Sequence, residues 1–226
     1  MLLHRRHFLR GASQVALFVA VAGPLAKLTG LSPIAPAQAQ AMDQAKLLSP
    51  EASPLPDQVL GSATAPVTII EYASLTCSHC ATFHEKTFPT LKSKYIDTGK
   101  VRFILREFPF DPVATAAFML ARCMPSDKYY PMVSSLFSTQ RTWAFGSNPA
   151  QGLLTVAKQA GMSEAEFEKC LSDKELAAKV QAGVQYGNKE LGIDSTPTFF
   201  INGKKVAGAI SPEDLDKELA PLLAGK

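Results

Sequence analysis

The sequence predicts an α/β fold: a discontinuous α/β domain interrupted by a long helical insertion. Three observations carry this. An apolar, β-branched run, Val67 to Ala73, stops at two cysteines with two residues between them, Cys77 and Cys80, and helix-compatible residues follow. A second apolar run, Val101-Arg-Phe-Ile-Leu-Arg-Glu-Phe, reads as another strand, giving a strand–helix–strand unit with a parallel pair. Far downstream, Thr198-Phe-Phe-Ile, Asn202-Gly203 and Lys204-Lys-Val-Ala-Gly-Ala-Ile form a hairpin signal, since Asn-Gly tolerates the positive φ that a type I′ turn needs.

The chain of 226 residues is long enough for one domain with a sizeable core or two small ones. Its hydrophobic content of 46% and charged content of 19% are those of an ordinary globular protein. The formal charge of +3 comes from the beginning of the chain, where Arg5, Arg6, Arg10 and Lys27 stand among 41 residues without an acid. The remainder has 19 basic against 20 acidic residues, which gives no electrostatic case for nucleic acid. An even count of four cysteines, two of them far from the Cys-x-x-Cys, favours an oxidising compartment.

Residues 1–41 read as an export signal. The basic start His4-Arg5-Arg6-His7-Phe8-Leu9-Arg10 precedes an apolar stretch from Val15 to Ala22, and Ala39-Gln40-Ala41 offers a small-x-small cleavage site after Ala41. Ala37-Gln38-Ala39 is the alternative site. Arg5-Arg6-His7-Phe8-Leu9-Arg10 also resembles the twin-arginine motif, a receptor-read address. A general secretory signal and a retained anchor are the competing readings. Against the anchor, the apolar run falls well short of the ~20 residues that span a bilayer. No cysteine precedes Cys77, so a lipid-modified N-terminal cysteine is excluded.

Residues 42–61, with Pro50, Pro54, Pro56 and Gly61, read as an extended lead-in too short for a dimerisation domain, so a monomer is expected. The α/β domain occupies 62–110 and resumes at 192–226. Within it a helix is predicted from Cys77 to Lys94 with a kink near Pro89, and Gly99 closes the connection. The insertion covers 111–191. Asp111-Pro112, Ser126 and Ser147-Asn148-Pro149 are helix starts, and Gly161 and Gly192 are stops. Ser163-Glu-Ala-Glu166 and Ser172-Asp-Lys-Glu175 both fit the capping box. Ser211-Pro212 begins a final helix.

Cys77, at the start of a helix, faces unpaired backbone N–H groups and the positive end of the helix dipole, both of which favour thiolate. Such sites bring a cysteine from about 8.5 into the range ~3.5–7.5. Cys80 lies one turn further in and is expected to be the buried resolving thiol. Half of a zinc site is the alternative. Against it, the other cysteines stand alone and His79 and His84 are the only histidines after residue 41, so no metal is expected. His79 can donate to the Cys77 thiolate, which would stabilise the reduced protein and make the disulfide easy to give away. A solvated loop residue is the bland alternative. His84 reads as an ordinary helix residue. Cys123 and Cys170, without cysteine neighbours, read most simply as a structural disulfide. It would close a loop of roughly 48 residues, worth about 4 kcal/mol in the chain-entropy picture. A second redox pair that tunes the first is the alternative.

Strand, Cys-x-x-Cys, helix, strand, helical insertion, Thr196-Pro197, hairpin and helix together resemble the DsbA-like branch of the thioredoxin superfamily over roughly residues 57–224. The resemblance implies a thioredoxin-like fold with a helical insertion. It implies a periplasmic thiol:disulfide oxidoreductase that passes a disulfide to unfolded or reduced exported proteins, with no cofactor beyond the Cys77–Cys80 pair. A membrane partner of the DsbB type would re-oxidise it. It places Glu71, six residues before Cys77, beneath the resolving cysteine as a proton relay through a water, where the residue pattern alone also allows an edge-facing surface glutamate. It makes Thr196-Pro197 a cis-proline loop that receives an extended client, although only about 5–6% of X–Pro bonds in folded proteins are cis and a trans proline starting a strand is the alternative. Ser78, which would also face the client, departs from the proline common in the family at that position. A disulfide isomerase or reductase on the same fold, and a chaperone-like binding protein whose cysteines stay idle, are the rival functions.

Overall fold

The computed structural model describes residues 42–224; the export-signal reading of residues 1–41 lies outside the described residues. The described chain begins with a short helix, α1 (Gln44–Leu47), capped by Asp43, whose carboxylate accepts from the Ala45 N–H. A 3₁₀ turn at Pro50–Ala52 and a three-residue strand, β1 (Gln58–Leu60), follow. The lead-in is therefore not simply extended, because it supplies an edge strand of the sheet. Three residues are too few for periodicity to register. Polar contacts from two arginines fix the segment instead. Arg106 pairs with Asp57 at 3.0 Å and donates to the Leu47 carbonyl at 2.7 Å, while Arg122 donates to the Pro56 carbonyl at 2.6 Å.

Strand β2 (Val67–Ala73) is buried at every residue but Thr68. Its β-branched residues suit a pleated, packed surface, and both faces are covered. Val67, Ile69 and Ala73 join one core cluster, Ile70 and Tyr72 the other. The predicted helix beyond Cys77 is broken into α2 (Ser78–Lys86), α3 (Phe88–Leu91) and a wide turn at Lys92–Ile96. The break falls at Thr87, two residues ahead of the predicted kink. Pro89 has no N–H to continue the ladder, and the Thr87 hydroxyl donates to the Ile210 carbonyl at 2.7 Å. Strand β3 (Val101–Glu107) then pairs with β2 in parallel, as the sequence predicts.

The insertion contains α4 (Pro112–Cys123), a 3₁₀ turn at Ser126–Lys128, α5 (Tyr129–Ser138), α6 (Gln140–Trp143), α7 (Pro149–Gln159), α8 (Glu164–Leu171) and α9 (Lys174–Leu191). Gly161 and Gly192 have the left-handed conformation expected of helix stops, with φ of 92° and 62°. The Ser163–Glu166 capping box forms. The second predicted box does not, because Asp173 caps α9 by accepting from the Leu176 N–H at 2.9 Å while Ser172 closes α8. Cys123 and Cys170 are joined by a disulfide that ties the end of α4 to α8.

Strands β4 (Thr198–Ile201) and β5 (Lys204–Ala207) form the predicted hairpin, with positive φ at both Asn202 (45°) and Gly203 (88°). Ser211 caps the last helix, α10 (Pro212–Leu223). The sheet runs β1-β3-β2-β4-β5, with β2–β3 the parallel pair in an otherwise antiparallel set. Central β2 thus delivers Cys77 to one end of the sheet, where the loop before β4 also arrives. Among the described residues no helix is long and apolar enough to cross a membrane.

Candidate active site

Cys77 is the N-cap of α2, with φ −80° and ψ 120°. Its Sγ lies 3.3 Å from the Thr196 carbonyl oxygen. Its pKa is lowered to about 5. The hydrogen bond from the Cys80 thiol contributes most; partial burial opposes it, and Thr196 and the backbone N–H groups of Cys80 and His79 add to it. Cys80 is fully buried, and its thiol is pushed well above the usual range by burial first, then by the hydrogen bond to Cys77 and the charge of Glu71. Two cysteines separated by one helical turn therefore hold opposite protonation preferences. An exposed-side thiolate beside a buried thiol is what thiol–disulfide exchange requires.

His79 and Ser78 are both exposed. His79 supplies its backbone N–H to Cys77, as the residue at the second position of a helix N-terminus can whatever its side chain.

The Thr196–Pro197 peptide bond is cis, as the family resemblance implies. Thr196 and Pro197 are both buried, the Thr196 Oγ1 has no hydrogen-bond partner among the described residues, and the Pro197 carbonyl accepts from the Gly208 N–H at 2.8 Å.

Glu71 is 0% exposed, which removes the surface-glutamate reading. Its Oε2 lies 2.8 Å from His84 Nε2, and Oε1 has no partner among the described residues. His84 is accordingly not an ordinary helix residue. Its ring stacks on Phe137 (centroids 4.2 Å apart, 19° between planes) and on Phe88 (4.9 Å, 30°). The signal was present in the sequence: Cys80 and His84 are four residues apart on one helix face, opposite the one acid in an apolar strand.

Gln140 carries no such signal. It is buried in α6, and its amide nitrogen donates to the carbonyls of Leu75 (2.8 Å) and Cys77 (3.0 Å), bonding the insertion to the turn that presents the thiolate. Asp111 does the same from the start of α4, accepting from the Thr76 hydroxyl at 2.6 Å. Among the described residues no group of three or more His, Cys, Asp or Glu is placed to hold a metal ion.

The pattern of the thioredoxin family matches residues 54–220. A Rickettsia conorii protein, provisionally named a protein-disulfide oxidoreductase, is 34% identical over 148 residues, which are 65% of this chain and 53% of that protein. The chain thus spans about half the length of the curated relatives it matches at this level. Disulfide bond formation protein D of Bacillus subtilis is 27% identical over 177 residues, 74% of this chain and 78% of the relative. The crystal structure of Wolbachia pipientis alpha-DsbA1 superposes with a TM-score of 0.69 at 34% identity, covering 75% of this chain and 92% of that one.

Proposed function

The chain belongs to the thioredoxin family, in its DsbA-like branch, and from that premise we propose that it is a periplasmic thiol:disulfide oxidoreductase donating its Cys77–Cys80 disulfide to exported proteins. The observation that carries this reading is the placement of the two sulfurs, Cys77 at the N-cap of α2 beside the Thr196 carbonyl and Cys80 fully buried one turn further in, which favours the thiolate at the first and the thiol at the second. A client thiolate attacks Cys77 Sγ, and Cys80 departs into its buried site. The client's second thiolate then attacks its own sulfur in the mixed disulfide and expels Cys77, which leaves readily because it is stable as an anion. Holding that anion stabilises the reduced protein more than the oxidised one, so the protein is an oxidant.

In this reading Glu71 exchanges a proton with Cys80. Ser78, His79, Thr196 and Pro197 border the client, and the Thr196 carbonyl is a backbone acceptor for an extended chain. The Cys123–Cys170 disulfide is structural, and the Cys77–Cys80 pair is the redox centre with no separate cofactor. The clients are unfolded or reduced exported proteins, and a membrane partner of the DsbB type restores the disulfide. An equilibrium titration against glutathione tests the direction. A potential near about −120 mV, that of DsbA, supports the oxidase, and one near about −270 mV, that of thioredoxin, supports a reductase. Cys77→Ser separates both from a binding protein, because a binder keeps its activity and an oxidoreductase loses it.

A further inference from the structure

Cys80 has no direct access to water: the residue is 0% exposed, and so is Glu71. Exchange nevertheless changes the protonation of its sulfur. When a client thiolate attacks the oxidised protein, the Cys77–Cys80 bond breaks, a client–Cys77 bond forms, and Cys80 keeps the electron pair as a thiolate. Burial favours the neutral thiol there, so a proton has to arrive. In the reverse step the Cys80 thiol gives up that proton before its sulfur attacks Cys77. Cys77 cannot supply or take it, because in the mixed disulfide its sulfur carries none.

Glu71 alone is an incomplete path, since a carboxylate sealed in the sheet can exchange one proton and then needs a route of its own. The next group outward is His84, whose side chain is 5% exposed against 0% for Glu71. It stands one turn from Cys80 on the same face of α2, and its Nε2 is held 2.8 Å from Glu71 Oε2 by the rings of Phe88 and Phe137. A residue that only filled the gap between two phenyl rings would need no nitrogen aimed at a buried carboxylate. Among the described residues the ionisable groups that meet Glu71 besides the imidazole are Cys80 from α2 and Tyr130 from α5, while α3 presents Phe88 to the His84 ring. The Tyr130 hydroxyl is already committed, donating to the Gln58 carbonyl at 2.6 Å and accepting from the Leu105 N–H at 3.1 Å, so it is no substitute relay.

From this juxtaposition we propose that His84 passes the proton of Cys80 between Glu71 and solvent, acting through the carboxylate as a positioning and relaying residue. The proposal rests on the oxidoreductase reading above. It is tested by mixing the full oxidised protein with a reduced two-cysteine peptide in single turnover across a pH series, in H₂O and D₂O, with His84→Gln and His84→Phe beside the unaltered chain. His84→Phe keeps the stack on Phe88 and Phe137, and so guards against a glutamine variant that fails to fold. The expected result is a solvent isotope effect in the unaltered chain, and in both variants a loss of rate of about a hundredfold with a flattened pH profile, the low end of what one positioned proton-transfer group contributes. The thiolate absorbance titration of Cys77 stays where it is, which a general disturbance of the site would not allow. Variants that match the unaltered chain in rate and pH profile, or an unaltered chain without an isotope effect, overturn the relay and leave the oxidase intact. A chain that fails to oxidise the peptide at all overturns the oxidase reading and the relay with it.

Discussion

Glu71 and Glu107 sit on neighbouring parallel strands and point to the same face of the sheet, Glu71 opposite Leu105 and Glu107 opposite Ala73. Both are buried. Their surroundings treat them in opposite ways. Glu107 is saturated: Arg122 meets it with two nitrogens, Nε at 2.5 Å and Nη2 at 3.0 Å, and the Tyr129 hydroxyl donates at 2.7 Å. The guanidinium is in turn held charged, because the attraction of Glu107 outweighs the burial that opposes it. Glu71 has one partner, His84, which can itself gain or lose a proton, and one oxygen without a partner among the described residues. A carboxylate whose two oxygens are both engaged, by a permanent cation and a hydroxyl, is a structural part. One left half-claimed beneath a reactive sulfur remains available to protons. In the proposed mechanism, two acids in almost the same place in the fold divide stability and chemistry between them.

The comparison breaks first at Glu107. Glu107→Ala leaves the Arg122 guanidinium buried without its counter-charge, and the expected loss of stability is about 3–5 kcal/mol, read from urea melts. An unchanged melt would remove the structural half of the contrast. Glu71→Leu should have the reverse profile. Removing a carboxylate with an unpartnered oxygen changes stability by about 1 kcal/mol or less, whereas resolution of the mixed disulfide slows at least tenfold, as seen by quenched-flow trapping. Unchanged kinetics would take Glu71 out of the mechanism. The smallest effect is a pH dependence confined to the reduced protein. Its Cys77 pKa is depressed from an ordinary 9.0 to about 5, so the thiolate contributes stability that is full above pH 9 and is lost as pH falls through about 5. The oxidised protein has no such group. The stability of the reduced form relative to the oxidised one should therefore decline from pH 9 to pH 5, and paired thermal melts in the two redox states measure it. A constant difference would mean that Cys77 ionises in the native state as it does in the unfolded chain.

The elements legible in the sequence were those whose signals are local. The Asn202-Gly203 turn, the Ser163 and Ser211 caps, the glycine stops and the Cys-x-x-Cys at the end of an apolar strand all declare themselves within a few residues, and all form. Glu71 was conspicuous as an acid six residues from a cysteine. Glu107 is just as anomalous within its own strand, but its partners Arg122 and Tyr129 lie 15 and 22 residues away, and only tertiary packing brings them in. His84 does carry a local signal, four residues past Cys80 on one helix face, but the aromatic rings that orient it come from α3 and α5, and only the fold brings them in. Strand β1 was too short to show alternation, and Gln140 is one polar residue in a four-residue helix until the fold carries it to the dithiol turn.

The amide of Gln140 has a mechanical consequence. Because one side chain grips the carbonyls on both sides of Thr76, a client tethered to Cys77 tugs on α6 as well as on the catalytic loop. In the proposed reaction a sulfur braced in this way by the helical insertion keeps one seat from client to client.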